Sequence, residues 1–475
     1  MMRTKPVSHV SFLGRIRDIA DDFASATPAR FAILIFAGLV LVFTLLFSLP
    51  ISSAKGVVTP LADSLFTAVS VICVTGLATV DMATHWSAFG HVLIVLGVEI
   101  GGIGVLTVAS ILGLVISRRL GLRAKLMAAS DSNPLRIQRG PVAEGQAVRL
   151  GEIGGLLATV AISALLIEAV IALLLLPRML IEGLDFFDAL WQSFYFSVMA
   201  FTNTGFLPTS TGLTPYAEDT WFLGLLMIGV FLGAIGFPVI YALARNFRKP
   251  KRWSLHVKLT ISTTLILLVL GAIAYFFLEF NNPKTFGGMD GGQRILQAFF
   301  FSMMTRSGGF STIDISQLHG SSLLVSDMLM FIGGGSASTA GGIKVTTLAI
   351  LFIAAFAEAR GSTEMEAFDR RIPSDVLRLS VSVVLWGATI VATSCIILMQ
   401  LTDERLDYVL FDAISAFATT GLSTGFTEGA SDPAIYVLAT TMFMGRIGTV
   451  TLAAALAAST RRQLFRRAEE RPIVG

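Results

Sequence analysis

Four short stretches of this sequence share a pattern suited to holding a bare monovalent cation: LFTAVSVICVTGLATVD, YFSVMAFTNTGFLPTST, LQAFFFSMMTRSGGFSTID and LFDAISAFATTGLSTGF. Each runs from an apolar, aromatic-containing segment through small polar residues to a Gly, then Leu or Phe. The aligned glycines are Gly76, Gly205, Gly309 and Gly421, separated by 129, 104 and 112 residues. The quartets around them are Val74, Thr75, Gly76, Leu77; Asn203, Thr204, Gly205, Phe206; Ser307, Gly308, Gly309, Phe310; and Thr419, Thr420, Gly421, Leu422. A short helix before each quartet points its partially negative C-terminus at the loop. Gly allows positive φ and close approach of backbones. Four such loops on one axis form a ring of carbonyl dipoles that replaces the water around a dehydrated alkali cation.

A second stretch, FIGGGSASTAGGIKV, interrupts an otherwise apolar run. Gly costs about 1 kcal/mol per helical position relative to Ala, and a mid-membrane Lys roughly 2.5–3.5 kcal/mol or more. Gly333, Gly334, Gly335, Ser336, Ser338, Thr339, Gly341, Gly342 and Lys344 are therefore expected to form a break between two half-helices, roughly 322–332 and 343–357. Such a break survives only where protein buries it or a watery path meets it, so it is expected to act as an intramembrane gate. It is not a phosphate-binding loop: Ile343 separates Gly342 from Lys344, and Val345 stands where Ser or Thr would follow.

The elements that must position these residues are membrane spans. The chain has 475 residues, 54% hydrophobic and 14% charged, against about 25% charged in soluble domains. Uncharged runs of 24, 25, 20 and 24 residues lie between Arg30 and Lys55, Asp219 and Arg245, Lys258 and Glu279, and Arg378 and Asp403. Each is long enough to cross ~30 Å of hydrocarbon as a helix. Four further spans carry one charge each, near Glu99, Glu168, Lys344 and Arg446. The first 54 residues are expected to remain as the first span, their apolar run and leader being too long for a cleaved signal.

Most of the 35 Lys and Arg sit in segments 1–30, 118–149, 245–258, 360–378 and 461–475. The positive-inside rule places all five, and both termini, in the cytoplasm. Between consecutive basic segments lie two long apolar pieces and a short one, so the short piece must enter and return on one face. The expected fold class is an all-α polytopic membrane protein: four helix–pore loop–helix repeats, with eight transmembrane helices and four re-entrant pore helices, around a central pseudo-fourfold pore. The expected boundaries are a cytoplasmic segment 1–30, repeats at 31–117, 151–244, 258–357 (with a broken second helix) and 375–460, linkers at 118–150, 245–257 and 358–374, and a tail at 461–475.

These motifs together resemble the Trk/Ktr/HKT superfamily of potassium transporters, most closely a bacterial Ktr-type or Trk-type membrane subunit. The resemblance covers nearly the whole chain and is carried by CVTGL, FTNTGF, TRSGGFSTID, ATTGLSTGFT, EIGGIGVLT, FLGAIGFPV, GGSASTAGGIKVTT and GRIGTVTL. It implies K+ as the transported ion, Gly in all four loops going with potassium selectivity. It also implies a homodimer in the bacterial inner membrane and a cytosolic RCK/KTN-type nucleotide-binding regulatory subunit, with no nucleotide bound by this chain. The third loop departs from the family in having Ser307-Gly308 in place of the expected Thr-Ala. The missing N-terminal hairpin favours Ktr-type organisation.

Arg446 lies midway along the last span and is expected to face the pathway below the filter, with capping of broken-helix carbonyls as the structural alternative. Arg306 is expected to face backward, toward a helix C-terminus or Asp314. Glu99 and Glu168 are expected to pair within the bundle or face water. Cys73 and Cys395 are too few for a disulfide framework, and five scattered His show no ligand spacing. No paired Asp, Ser/His pair or His/Glu metal site marks an intramembrane enzyme, and no nucleic-acid partner is expected. A sodium-conducting transporter of the same fold, or a secondary transporter of a small organic solute, is the rival expectation.

Overall fold

A computed structural model describes residues 28–119, 150–362 and 364–448. The tail 461–475, and nearly all of the segment 1–30 and the linker 118–150, lie outside the described residues, as does the last repeat beyond residue 448.

The repeats follow one another as units of a long helix, a short helix and a second long helix, the last of these broken in two in repeats 2 and 3. Repeat 1 comprises α1 (Pro28–Phe47), α2 (Leu61–Ile72) and α3 (Ala88–Arg119). Repeat 2 comprises α4 (Leu150–Ile181), α5 (Phe186–Phe201), α6 (Thr220–Ile235) and α7 (Phe237–Asn246). Repeat 3 comprises α8 (Leu255–Leu278), α9 (Gly291–Met304), α10 (Gly320–Ile332) and α11 (Val345–Ala359). Repeat 4 comprises α12 (Ser374–Leu401), α13 (Leu406–Ala418) and α14 (Asp432–Phe443), the last passing into a π-helical turn at Met444–Gly448. The short helices α2, α5, α9 and α13 have 12, 16, 14 and 13 residues, too short to cross the hydrocarbon.

Local chemistry sets where these elements start. Asp185, Asp219 and Ser254 each accept a backbone N–H as N-caps of α5, α6 and α8. Asp290 and Gln293 form a reciprocal capping box on α9. The short helices α2, α5 and α13 each pack between their own two flanking helices, α9 packs on α8 and on α6 of the preceding repeat, and the units close into a ring. α3 contacts α4 and α5, α6 contacts α9, α10 contacts α13, and α14 returns to α2.

The buried faces point to this ring and the apolar outer faces do not. Leu166, Leu173, Phe277, Leu385 and Ile396 are among many large hydrophobic side chains left exposed. Such a belt is explained by lipid contact. Among the described helices, Thr159–Ile181, Leu255–Leu278 and Ser374–Leu401 are long and apolar enough to span alone.

The run between Asp219 and Arg245 corrects the sequence expectation of one crossing helix. It is two helices, α6 and α7, bent by 104°. Gly236 forms the corner at φ +85°, and Pro238 follows at the first turn of α7. A Cβ at Gly236 would lie 2.6 Å from the Ala337 carbonyl oxygen, so the bend makes room for the third-repeat break. The linker 358–374 also holds a small antiparallel hairpin, Met365–Ala367 against Arg370–Ile372, turned by Phe368 and Asp369 at positive φ. That combination is the hairpin turn chemistry expected of adjacent left-handed residues.

Candidate functional site: four converging loops and a broken helix

Each of the short helices α2, α5, α9 and α13 ends in the same backbone sequence. The first quartet residue is left-handed despite its side chain: Val74 at φ +56°, Asn203 at +62°, Ser307 at +77° and Thr419 at +47°. Two positions later come Gly76 at +92°, Gly205 at +79°, Gly309 at +74° and Gly421 at +88°. The intervening Thr75, Thr204, Gly308 and Thr420 have negative φ. Alternation of hand along three residues turns successive carbonyls toward one side, an arrangement L-residues adopt only at a cost of about 1–3 kcal/mol each.

The four loops meet at one axis. A Cβ built on Gly76 would stand 1.7 Å from the Thr204 carbonyl oxygen, and on Gly421, 2.5 Å from that of Thr75. On Gly309 it would lie 2.7 Å from Thr204 O and 2.8 Å from Thr420 O; on Gly205 it would lie 2.8 Å from Gly308 O. Backbone oxygens of all four loops therefore converge among the four glycines, where no side chain fits. Among the described residues, the buried hydroxyls of Thr75, Thr419 and Thr420 have no hydrogen-bond partner. Converging carbonyl oxygens, with hydroxyl lone pairs beside them, suit a cation better than an anion.

Hydrogen bonds hold the loops in register. In repeats 1, 2 and 4 the residue before the Gly reaches back five positions: Thr75 N–H to Ser70 O (2.7 Å), Thr204 to Met199 (2.9 Å) and Thr420 to Ser415 (2.9 Å). Repeat 3 differs, with Gly308 N–H bonding Met304 O at 2.8 Å. This is the loop where the sequence also departs. A Cβ at Gly308 would lie 2.6 Å from Met304 Sδ, so Met304 fills the space an Ala methyl would take.

Several supporting residues escaped the sequence reading. Ser70 Oγ donates to Leu77 O at 2.7 Å and accepts from Gly76 N at 3.1 Å. The fully buried Asp412 carboxylate accepts the backbone N–H groups of Thr424 (2.9 Å) and Thr427 (3.1 Å) and the hydroxyls of Ser423, Thr424 and Thr427. It thereby ties the short helix α13 to the return of its own loop. The readable signal was an acid in an apolar helix, followed by a Ser/Thr-rich return.

Below the loops, Gly333–Lys344 separates α10 from α11 and makes contact with every other repeat. Gly335 N–H donates to Ala234 O (2.7 Å), and Thr339 Oγ1 to Phe201 O (3.2 Å). Gly341 N–H donates to Ser307 Oγ (3.2 Å), which itself donates to Thr419 O (2.8 Å). A Cβ at Gly341 would fall 2.2 Å from Ala418 O, and one at Gly102 would lie 3.8 Å from Thr339 Cγ2. Within the loop, Ser338 Oγ donates to Gly335 O, and Ser336 Oγ meets Thr346 Oγ1 at 2.9 Å. Gly334 O accepts from Val345 N–H, while Gly333 and Gly342 take positive φ as the chain turns.

The charges resolve as follows. Lys344 folds back so that its ammonium donates to Ala340 O and Gly341 O of its own loop. The buried Arg446 guanidinium donates through Nη1 to Thr339 O, which places it at the break, below the four loops. Arg306 does face away from the axis, but Asp314 is not its partner. Its Nη1 donates to Thr264 O on α8, while Asp314 caps the turn at Ser316. Fully buried Arg306 was within reach of a main-chain oxygen, and Asp314 was taken by its own loop. Cys73 and Cys395 are free and buried.

Comparison with known proteins agrees with this architecture. The sequence model of the family described as "TrkH: Cation transport protein" matches residues 13–463. The chain is 33% identical to Ktr system potassium uptake protein B of Vibrio alginolyticus over 438 residues, covering 92% of each chain. It is 33% identical to Ktr system potassium uptake protein D of Bacillus subtilis, covering 94% of this chain and 97% of that one. The potassium transporter TrkH from Vibrio parahaemolyticus superposes with a TM-score of 0.70 over 90% of this chain and 84% of its own, at 16% identity. The chain is a multi-pass, all-α membrane protein and belongs to the TrkH family of cation transport proteins.

Proposed function

We propose that the chain takes up potassium across the bacterial plasma membrane through one central path. The quartets at Gly76, Gly205, Gly309 and Gly421 form its selectivity filter, and Gly333–Lys344 with Arg446 forms its gate. The observation that carries this reading is the convergence of four loops with the same alternation of backbone hand on one axis. A ring of carbonyls at that spacing competes with the hydration shell of a large alkali cation better than with that of a smaller, more tightly hydrated one. The potassium uptake named for the 33% identical relatives supports the choice of ion.

A potassium/sodium uptake protein of Enterococcus hirae is 29% identical over 89% of this chain, which keeps a Na+/K+ transporter as the second reading. The Ktr system names of the relatives imply a further component. We assign that role to a cytosolic RCK/KTN-type nucleotide-binding subunit acting on a homodimer of this chain, whose basic segments offer it a cytoplasmic surface. Cells lacking potassium uptake, supplied with this chain and such a partner, should regain growth on low potassium. Membrane insertion without rescue would overturn the potassium assignment.

A further inference from the structure

Glu99 on α3 and Glu168 on α4 bring their carboxyl groups beside one another at the seam between repeats 1 and 2. Both lie mid-helix, at the depth of the pore-helix ends. Gly97 and Gly101, flanking Glu99, pack on Val71 and on the Ile72 carbonyl of α2. The Glu168 carbonyl accepts from Ser197 Oγ of α5 at 2.6 Å. Glu168 is 1% exposed and Glu99 is half-buried.

No donor among the described residues reaches Glu99 Oε1 or either Glu168 oxygen. Among the described residues, the neighbouring elements bring no compensating cation. α1 from Ile33 onward and α6 carry no titratable group. α2 brings Asp63, bonded to Thr79, and the free thiol of Cys73 beyond its end. α5 brings Asp188 in its first turn and Tyr195, whose hydroxyl is unpartnered and whose ring meets His91 of α3 edge-on at 5.9 Å. Arg178, at the far end of α4, is held by Asp219 and Glu182.

An ionised carboxylate only accepts hydrogen bonds, so two ionised groups cannot bond one another. Like charges sharing a site cannot both stay ionised in a medium of low dielectric. We propose that Glu99 and Glu168 form an intramembrane proton-binding site, with one proton shared between them. The proton rests on Glu168, the more deeply buried group, and is donated to the Glu99 carboxylate. Its release breaks that O–H bond and passes the proton to water or hydroxide on the half-buried Glu99 side, leaving two carboxylates that push α3 and α4 apart. Gly102, three residues beyond Glu99, would with a Cβ stand 3.6 Å from Thr202 Cγ2 and 3.8 Å from Thr339 Cγ2. Movement of α3 therefore reaches both the second loop and the break.

Two measurements on the purified full chain in lipid nanodiscs test the site, and neither depends on which ion is transported. In wild type, a hydrophobic carbodiimide, which attacks protonated buried carboxyls, should label Glu99 or Glu168, with labelling lost as pH rises. The infrared band of a protonated carboxyl should titrate in parallel. It should be lost in Glu168→Gln, shift in Glu99→Gln, where Glu168 keeps its proton but loses its carboxylate acceptor, and stay unchanged in Asp327→Asn, which removes another buried carboxyl, on α10. No labelling at either Glu in wild type, or a band unchanged in both Gln variants, overturns the proposal. So does labelling blocked by added K+ or Na+ at constant pH, which would mean a bound metal cation. Where flux is measurable, uptake should depend on pH in wild type and lose that dependence in both Gln variants.

Discussion

Arg446 donates its Nη1 hydrogen to the carbonyl oxygen of Thr339, 107 residues earlier in the chain. The last described helix thereby holds the midpoint of the third-repeat break in place beneath the four loops. A hydrogen bond from a charged donor contributes about 1.5–3 kcal/mol. Arg446→Gln should therefore shift the gate toward its open form by roughly 10- to 100-fold. The check is potassium-dependent flux into proteoliposomes without the regulatory partner, where Arg446→Gln should exceed wild type.

Deleting 334–341 removes the contacts to Ala234, Phe201, Ser307 and Ala418 together. Flux should rise while the ratio of K+ to Na+ transport stays unchanged, because the quartets themselves are left intact. Unchanged flux in a deletion variant that inserts normally would mean that the break does not gate.

Asp412 accepts from two backbone N–H groups and three hydroxyls. Truncation leaves these donors buried without an acceptor, at about 1–3 kcal/mol for each orphaned group. Asp412→Ala should unfold in detergent at a clearly lower temperature than wild type. Asp412→Asn, retaining one oxygen, should fall between them. Equal thermal stability of the three proteins would remove the anchoring role.

How far these features could be read from sequence depended on repetition. Gly76, Gly205, Gly309 and Gly421 were legible because four copies of one pattern recur between long apolar runs. The break at Gly333–Lys344 was legible because a lysine and several glycines contradict a lipid-facing helix. The 104° corner at Gly236 was not, since FLGAIGFPV is as apolar as the span it interrupts. Its only cues, Gly236 and Pro238, also occur in continuous membrane helices. The partner of Arg306 was invisible because it is the main-chain oxygen of Thr264, and any residue supplies one. The anchoring by Asp412 depends on residues 11 to 15 positions onward folding back, which only the tertiary return of the loop determines.

Glu279, just beyond the end of α8, offers a test by pH. Burial alone would raise its carboxyl. Donors from Ser322, Thr285, the His319 backbone and Asn282 outweigh that and hold it below its ordinary 4.5. A carboxylate lowered on folding contributes stability that is fully present above its unfolded value and lost as pH falls through the folded one. Wild type should therefore lose thermal stability progressively as pH drops below about 4.5. Glu279→Gln should be less stable than wild type at neutral pH and show a flatter acid limb. Parallel acid limbs in the two proteins would assign the acid sensitivity to another group.

The filter assignment is tested most directly by isotopic potassium uptake into proteoliposomes, with and without competing sodium, in wild type and Gly76→Ser. A Cβ at Gly76 would meet the Thr204 carbonyl oxygen at 1.7 Å, and the backbone there is left-handed at φ +92°. The first loop must then shift out of the ring. Wild type should take up potassium with little inhibition by sodium, and Gly76→Ser should lose that preference while still inserting. Absence of potassium uptake in wild type, or an unchanged preference in Gly76→Ser, would contradict the four-loop filter.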